Sequence, residues 1–296
     1  MSETATQLTE PTEYVQFWND TLADKFDRFR HILMEGLSYH SRIPLERLAV
    51  TPGSRILDVG CGWGDTAIQL ARKTGPGGYV LGVDCVDQFL TRARSEARKA
   101  GLDNIRFITE DVERYPFDGR FDLCFSRFGM MFFENPVRAM KNIRRALRRG
   151  GELMFIVWRS SDHNPWLGMA KEVVLRYLPE PGDGARSCGP GPFSMANTEV
   201  VSKQLVIAGF SDIEFEQVDG PVTVGDSVQD AINFQLAIGP AGEVFREAGE
   251  LAEQQRPEIE KALREALTPY QDKKSGQIVM PSSSWCITAR NPANVH

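Results

Sequence analysis

The stretch RILDVGCGWGD, residues 55–65, places an apolar run ending in Asp58 directly before Gly60, Gly62 and Gly64. Removing every second side chain from a short loop lets its backbone lie against something bulky. The segments downstream of this loop limit the fold that carries it. RILDVG runs into the helical GDTAIQLARKTG and YVLGVD into VDQFLTRARSEARKAG; IRFITED, FDLCFS and GELMFIVW come next with helical stretches between them. Strand then helix, repeated, predicts a doubly wound α/β fold, a parallel sheet with both faces covered. Crossover handedness fixes much of the topology, and ligands bind where strand carboxyl ends meet a reversal of strand order, expected here at the first strand.

The flanks read differently. Tyr14, Phe17, Trp18, Leu22, Phe26, Phe29, Leu33 and Leu37 recur largely at spacings of three and four, which predicts helix from Glu13 to about Leu48. Pro44 and Pro52 then punctuate the chain. Beyond Trp158 the alternation loosens. NPWLGMAKEVVLRYL predicts a helix, PEPGDGARSCGPGPF a Gly/Pro-rich loop, SMANTEVVSKQLVIAGF a helix capped by Gly209, and SDIEFEQV a strand. A long helical insertion is expected from about Ser227 to Tyr270, before a last strand at 282–290.

A formal charge of -6, from 34 Lys and Arg against 40 Asp and Glu, lacks the basic face that a phosphate-backbone binder needs. Arg144, Arg145, Arg148 and Arg149 read as the solvated face and end of a helix. Cys61, Cys85, Cys124, Cys188 and Cys286 form no CxxC pair or His-matched cluster, so they read as reduced thiols with no metal. No apolar run approaches a membrane span, and the polar start MSETATQLTEPTE matches neither a signal peptide nor a transit peptide; a cytoplasmic protein is expected.

The glycine loop sits between a strand and a helix beginning near Asp65, so its amides and the helix amino end are expected to present positive potential. The dinucleotide fingerprint GxGxxG needs a third glycine at position 65, where Asp65 stands. An acid beside the loop repels pyrophosphate and suits a cationic ligand. Asp84 ends the next strand, 20 residues past Gly64, where doubly wound folds place an acid on ribose hydroxyls. Asp111 follows the third strand and suits an adenine amino group.

Taken in order, ILDVGCGWG, GVD, ITEDVERYPF, FDLCFSRFGMMFFENP and LRRGGELMFIVW resemble the class I S-adenosylmethionine (SAM)-dependent methyltransferases over roughly residues 50–160. The resemblance implies that Asp58 and the loop of Gly60, Cys61, Gly62 and Gly64 hold the methionine end of SAM and that Asp84 binds its ribose. It further implies that Cys85 lies by the adenine, Asp111 accepts from the adenine amino group, Val112 packs near the base, and Ser126 lies beside the methionine end. SRFGMMFFENP and NPW look most like small-molecule enzymes grouped with the ubiquinone and menaquinone C-methyltransferases. SSSWCITAR resembles the family's seventh, antiparallel strand, which implies a seven-stranded, mostly parallel sheet of order 3-2-1-4-5-7-6. The expected organisation is an N-terminal helical lid over 1–48 and a SAM-binding domain over 49–296, with helical cap insertions at about 160–194 and 227–272.

Phe128, Met131, Phe132 and Trp158 lie at or beyond strand ends, where they either line an acceptor pocket or pack between sheet and insertion. Trp18 has the same two readings. Arg127 is the expected partner of an anionic acceptor, and His163 the candidate base, in competition with a plain surface histidine. SRFG stands where amino-methylating enzymes carry [ND]-P-P-[YF], which disfavours amide or nucleobase substrates. The expected activity is in-line methyl transfer to O, N or C of a small, partly apolar metabolite. An NAD-dependent oxidoreductase and a SAM-binding, non-catalytic partner subunit are the alternatives.

Overall fold

A computed structural model describes residues 11–117, 120–182 and 189–293; Cys188 and the first ten residues of the polar start lie outside these. The sheet has seven strands: β1 (Arg55–Val59), β2 (Tyr79–Asp84), β3 (Ile105–Thr109), β4 (Phe121–Arg127), β5 (Leu147–Trp158), β6 (Ser211–Gly225) and β7 (Ile278–Arg290). Their order is 3-2-1-4-5-7-6, with β7 antiparallel to both neighbours, as expected. The order reverses between β1 and β4, which pair in parallel on opposite sides of the switch point.

Helices cover both faces, which is why the inner strands are apolar on nearly every residue: Ile56, Leu57, Val80, Val83, Phe125 and Phe155 are fully buried. Three short helices lead the chain, α1 (Glu13–Phe17), α2 (Ala23–Arg28) and α3 (Ser38–Arg47). The crossovers carry α4 (Asp65–Thr74), α5 (Asp87–Lys99) and α6 (Pro136–Ala146). After β5 come α7 (Pro165–Val174) and α8 (Thr198–Ala208), the latter ended by Gly209 in the left-handed conformation. The insertion between β6 and β7 is α9 (Val228–Ala237), α10 (Gly239–Ala248) and α11 (Glu250–Leu267). No helix among the described residues is long and apolar enough to cross a membrane.

Three local expectations are corrected. The N-terminal segment is not one helix, because π-helical turns at Trp18–Leu22 and Ile32–Gly36 interrupt it. A straight helix of that length would run roughly 50 Å, against about 30 Å across a seven-stranded sheet, so the segment must bend to keep its apolar stripe on the domain. The second correction concerns strand length. β6 and β7 extend well past the predicted ends, with Pro221 directly opposite Pro281, so two residues that cannot donate share one ladder position. Third, Arg148 and Arg149 belong to the start of β5, and Arg144 donates to the carbonyl of Ala208 (2.8 Å) at the end of α8, tying two helices instead of facing solvent.

The N-terminal segment is seated on β6 by a close backbone approach. A Cβ added at Gly36 would stand 2.1 Å from the carbonyl oxygen of Thr223, a backbone atom that cannot swing away. Gly36→Ala is therefore expected to lower stability by about 1–3 kcal/mol and to expose residues 30–40 to limited proteolysis while the sheet stays folded. Denaturant unfolding and cleavage mapping check both; unchanged cleavage would show that the segment is held elsewhere.

Candidate active site

The strand carboxyl ends at the switch point open into one cavity. Its floor is Gly60, Cys61 and Gly62 after β1, Asp84 and Cys85 at β2, Glu110, Asp111 and Val112 after β3, Arg127 and Phe128 at β4, and Trp158 at the end of β5. Met131 and Phe132 follow from the turn after β4, and Trp18, with its neighbours Tyr14 and Leu22, comes from the N-terminal segment. The inserted helices supply the rest, including Trp166, Leu167, Phe234, Glu243 and Arg246.

All three loop glycines are left-handed, with φ of 63°, 51° and 80° at Gly60, Gly62 and Gly64. Their expected electrostatic role is corrected. Gly60 and Cys61 donate to the Val83 carbonyl (2.8 and 3.1 Å), and Gly62 donates to the Asp84 carboxylate (2.9 Å), so these amides bind the loop to β2 and do not face a ligand. What the glycines supply is proximity. A Cβ at Gly60 would lie 3.0 Å from Gly129 Cα, one at Gly64 would lie 2.9 Å from Ala93 and the Phe107 ring, and one at Gly62 would project into open space in the cavity.

Asp58 is fully buried beneath the loop and is not a wall residue. One carboxylate oxygen accepts from the Thr66 hydroxyl (2.6 Å), and the other has no partner among the described residues. Burial pushes its pKa up to about 7, Thr66 and Arg127 pull it down, and Asp65 and Asp84 add to the rise. Thr66 itself does line the cavity. Ser126 is likewise buried off the wall with its hydroxyl unpartnered, and Gly64 lies outside the cavity as well. Asp84 accepts the amides of Gly62 and Val86, one on each oxygen; desolvation raises its pKa and those bonds oppose the rise. Burial and the neighbouring acids push the thiols of Cys61 and Cys85 well up, which keeps them protonated and unreactive.

The acceptor-side expectations divide. Phe128 and Trp158 stack at 4.0 Å with planes 15° apart, and Trp166 meets Trp158 edge-on at 5.1 Å. Phe128 holds a left-handed φ of 59°, a strained conformation for a non-glycine residue that aims its ring from the end of β4. Trp18 packs edge-on against Phe26 and Phe132. Arg127 lines the cavity, yet its guanidinium is engaged, by both Asp65 oxygens (2.9 and 2.7 Å), by the Met34 carbonyl and by the Ser41 hydroxyl. It is a structural cation, not one waiting for an anionic acceptor. His163 is also corrected: it sits in an exposed turn, 3.0 Å from Arg159, beside a separate groove along β6 and β7. The chain leaving β5 carries it toward the far edge of the sheet. Away from the cavity, His31, Asp226 and Asp230 bring possible metal-ligand atoms within 4.8 Å of one another.

Sequence reasoning missed Thr66, Glu110, Trp166, Phe234, Glu243 and Arg246. Thr66 and Glu110 adjoin the glycine-loop and third-strand motifs; the other four come from elements that only the tertiary fold brings to the cavity.

Residues 50–174 match the family model of a methyltransferase domain. The ubiquinone/menaquinone biosynthesis C-methyltransferase of Pseudomonas putida strain GB-1 is 32% identical over 209 residues, spanning 67% of this chain and 81% of that protein. The chain belongs to the class I SAM-dependent methyltransferases. The corresponding enzyme of Ectopseudomonas mendocina is 27% identical over 213 residues, covering 68% of this chain and 83% of its own. Two solved structures share the fold. The YcgJ protein of Bacillus subtilis has a TM-score of 0.56 at 15% identity, covering 85% of this chain and 97% of its own. Phosphoethanolamine N-methyltransferase 2 of Haemonchus contortus, in complex with SAM, has a TM-score of 0.57 at 18% identity, covering 96% and 61%. The NAD-dependent alternative is thereby set aside.

The methyltransferase site fits its cationic cofactor. Asp65, Asp84, Glu110 and Asp111 face the cavity past β1, β2 and β3, where Arg127 pairs with Asp65, and a buried carboxylate oxygen of Asp58 waits without a partner among the described residues. Because the folded pKa of Asp58, about 7, exceeds its reference value of 3.8, its stabilising contribution is complete below about pH 4 and is lost as pH rises through about 7. A cation held nearby favours the ionised form and expels the proton. Calorimetry with SAM near pH 7, in buffers of different ionisation heat, is expected to show proton release by the wild type and none by Asp58→Asn. Wild-type affinity should rise between about pH 6 and 8; a pH-independent affinity would remove Asp58 from the site.

Proposed function

We propose that this methyltransferase acts on a small, flat, largely apolar acceptor seated against the stacked rings of Phe128 and Trp158. The observation that carries the reading is the continuous aromatic wall. Trp158 meets Trp166 edge-on, and Trp166 lies parallel to Phe234 of the insertion at 6.4 Å, so the end of the cavity past β4 and β5 is built for ring faces.

The acids past β1, β2 and β3 take the cofactor. Asp84 binds the ribose hydroxyls with the lone pairs that its two amide bonds leave over. Asp111 accepts from the adenine amino group, with Cys85 and Val112 against the base. Gly60, Cys61, Gly62 and Thr66 border the methionine end, with Asp58 and Ser126 behind them. When bound, SAM supplies an electrophilic methyl group on its sulfonium. The chain's part is to hold the acceptor in line with that methyl and to keep water out. Of the expected lid over 1–48, the described residues 11–48 act as a lid, and the described parts of the insertions at about 160–194 and 227–272 act as a cap over the 49–296 domain; residues 1–10 and 183–188 lie outside the described residues. With a net charge of -6, a small molecule suits this site better than nucleic acid.

The curated relatives are named for C-methylation in ubiquinone and menaquinone biosynthesis. A ring of quinol type matches the aromatic wall. Incubation of the wild type with labelled SAM is expected to give a singly methylated product from 1,4-naphthohydroquinone under argon and none from phosphoethanolamine, followed by mass spectrometry. Methylation of phosphoethanolamine alone would overturn the reading.

A further inference from the structure

Helix α10 packs on α7 and α9, which carry Trp166, Leu167 and Phe234, and it brings two charged side chains to the cavity that these residues line, Glu243 and Arg246. Arg246 is committed: its guanidinium donates twice to Glu247 (3.1 and 3.0 Å) and lies 5.1 Å over the Phe17 ring. The Glu243 carboxylate has neither a hydrogen bond nor an ion pair with another residue among those described. A half-buried carboxylate on an apolar wall, with no residue donating to it, carries a desolvation cost that Arg246 and Lys171 offset in part and an arriving donor offsets further.

Each other acid of the cavity has an occupation or the wrong place. Asp65 is paired with Arg127, and Asp84 holds the amides of Gly62 and Val86. Asp111 accepts the Glu113 amide and lies 3.5 Å from Arg114. Glu110 adjoins Asp111 past β3, the edge strand most remote from β5. The histidines are no better placed. His163 lies outside the cavity, and His40 is buried with its two ring nitrogens on Ser284 and Ser282.

We propose that Glu243 recognises the acceptor by a ring hydroxyl and takes its proton, an assignment that rests on the acceptor site described above. The O–H bond breaks with its electron pair left on the acceptor oxygen, the proton moves to a Glu243 carboxylate oxygen, and it passes to water when the cavity opens. Desolvation raises the Glu243 pKa, favouring the proton-bearing form after transfer. The charged groups acting on it are Arg246 and Glu247 of its own helix and Lys171 of α7, which pairs with Glu180 (3.2 Å). A site that spends a buried acceptor on one hydroxyl rejects analogues lacking it far more strongly than size alone would.

The test compares 1,4-naphthohydroquinone with 1,4-dimethoxynaphthalene, which keeps the flat ring and lacks the hydroxyl hydrogens. Binding is read by tryptophan quenching in the presence of S-adenosylhomocysteine under argon. The wild type is expected to prefer the hydroquinone by about tenfold or more, and Glu243→Leu to lose that preference while binding S-adenosylhomocysteine unchanged. Glu243→Gln is expected to lower kcat about 100-fold and to abolish the acid limb of the wild-type pH–rate profile. Equal wild-type binding of the two rings, or a wild-type rate and pH profile in Glu243→Gln, overturns the assignment of Glu243 alone. Binding of neither ring by a wild type that holds S-adenosylhomocysteine overturns the flat-ring acceptor and this assignment with it.

Discussion

The ion pair between Arg127 and Asp65 holds the switch point together, and the rest of the site is arranged around it. Both side chains are largely buried, at 11% and 18% exposure, and both Asp65 oxygens meet one guanidinium nitrogen at 2.9 and 2.7 Å. Breaking such a pair by removing one partner typically costs about 3–5 kcal/mol, because the survivor is left charged in a poor solvent. Here the pair joins the end of β4 to the first residue of α4. Through the Met34 carbonyl and the Ser41 hydroxyl, the same guanidinium reaches the N-terminal segment. One side chain thus spans the sheet, the helix that follows the glycine loop, and the segment over the cavity.

That arrangement separates two kinds of surface. Toward β1, β2 and β3 the cavity carries acids, and the Coulomb attraction between them and a cationic cofactor is strengthened by the low local dielectric. Toward β4, β5 and the insertion it carries rings, held by edge-on and stacked contacts and by the strained backbone of Phe128. The glycines serve this geometry by closeness and not by offering amides. Gly60 lets the loop pass against Gly129, and the loop amides are satisfied on β2, which leaves its conformation fixed before any ligand arrives.

The strands and the acids at their ends were legible because they are local, each within a few residues of an apolar run whose length and period identify a strand, whereas the order 3-2-1-4-5-7-6 followed from the resemblance to the methyltransferases. Asp58, Asp84 and Asp111 could be found from such runs alone. Arg127 was located correctly and misread in role, since its partner Asp65 lies 62 residues earlier and only the parallel pairing of β1 with β4 brings the two together. His163 failed for the same reason in reverse: proximity in sequence to the end of β5 did not place it over the cavity. The apolar spacing of the N-terminal segment was real, but spacing does not record the π-helical turns that bend it. Glu243 gave no signal, because an acid on an inserted helix looks like any solvated position until α7 and α9 enclose it.

If the acids at the strand ends hold SAM and the rings past β5 do not, substitutions at the two ends of the cavity have opposite effects on cofactor affinity. Calorimetric titration of the wild type, Asp84→Asn and Trp158→Ala with S-adenosylhomocysteine measures this most directly. Asp84→Asn is expected to lose at least about tenfold in affinity, the cost of weakening a charged hydrogen bond, while Trp158→Ala binds as the wild type does. Wild-type affinity in Asp84→Asn, with binding lost in Trp158→Ala, would contradict this assignment and exchange the two ends of the cavity.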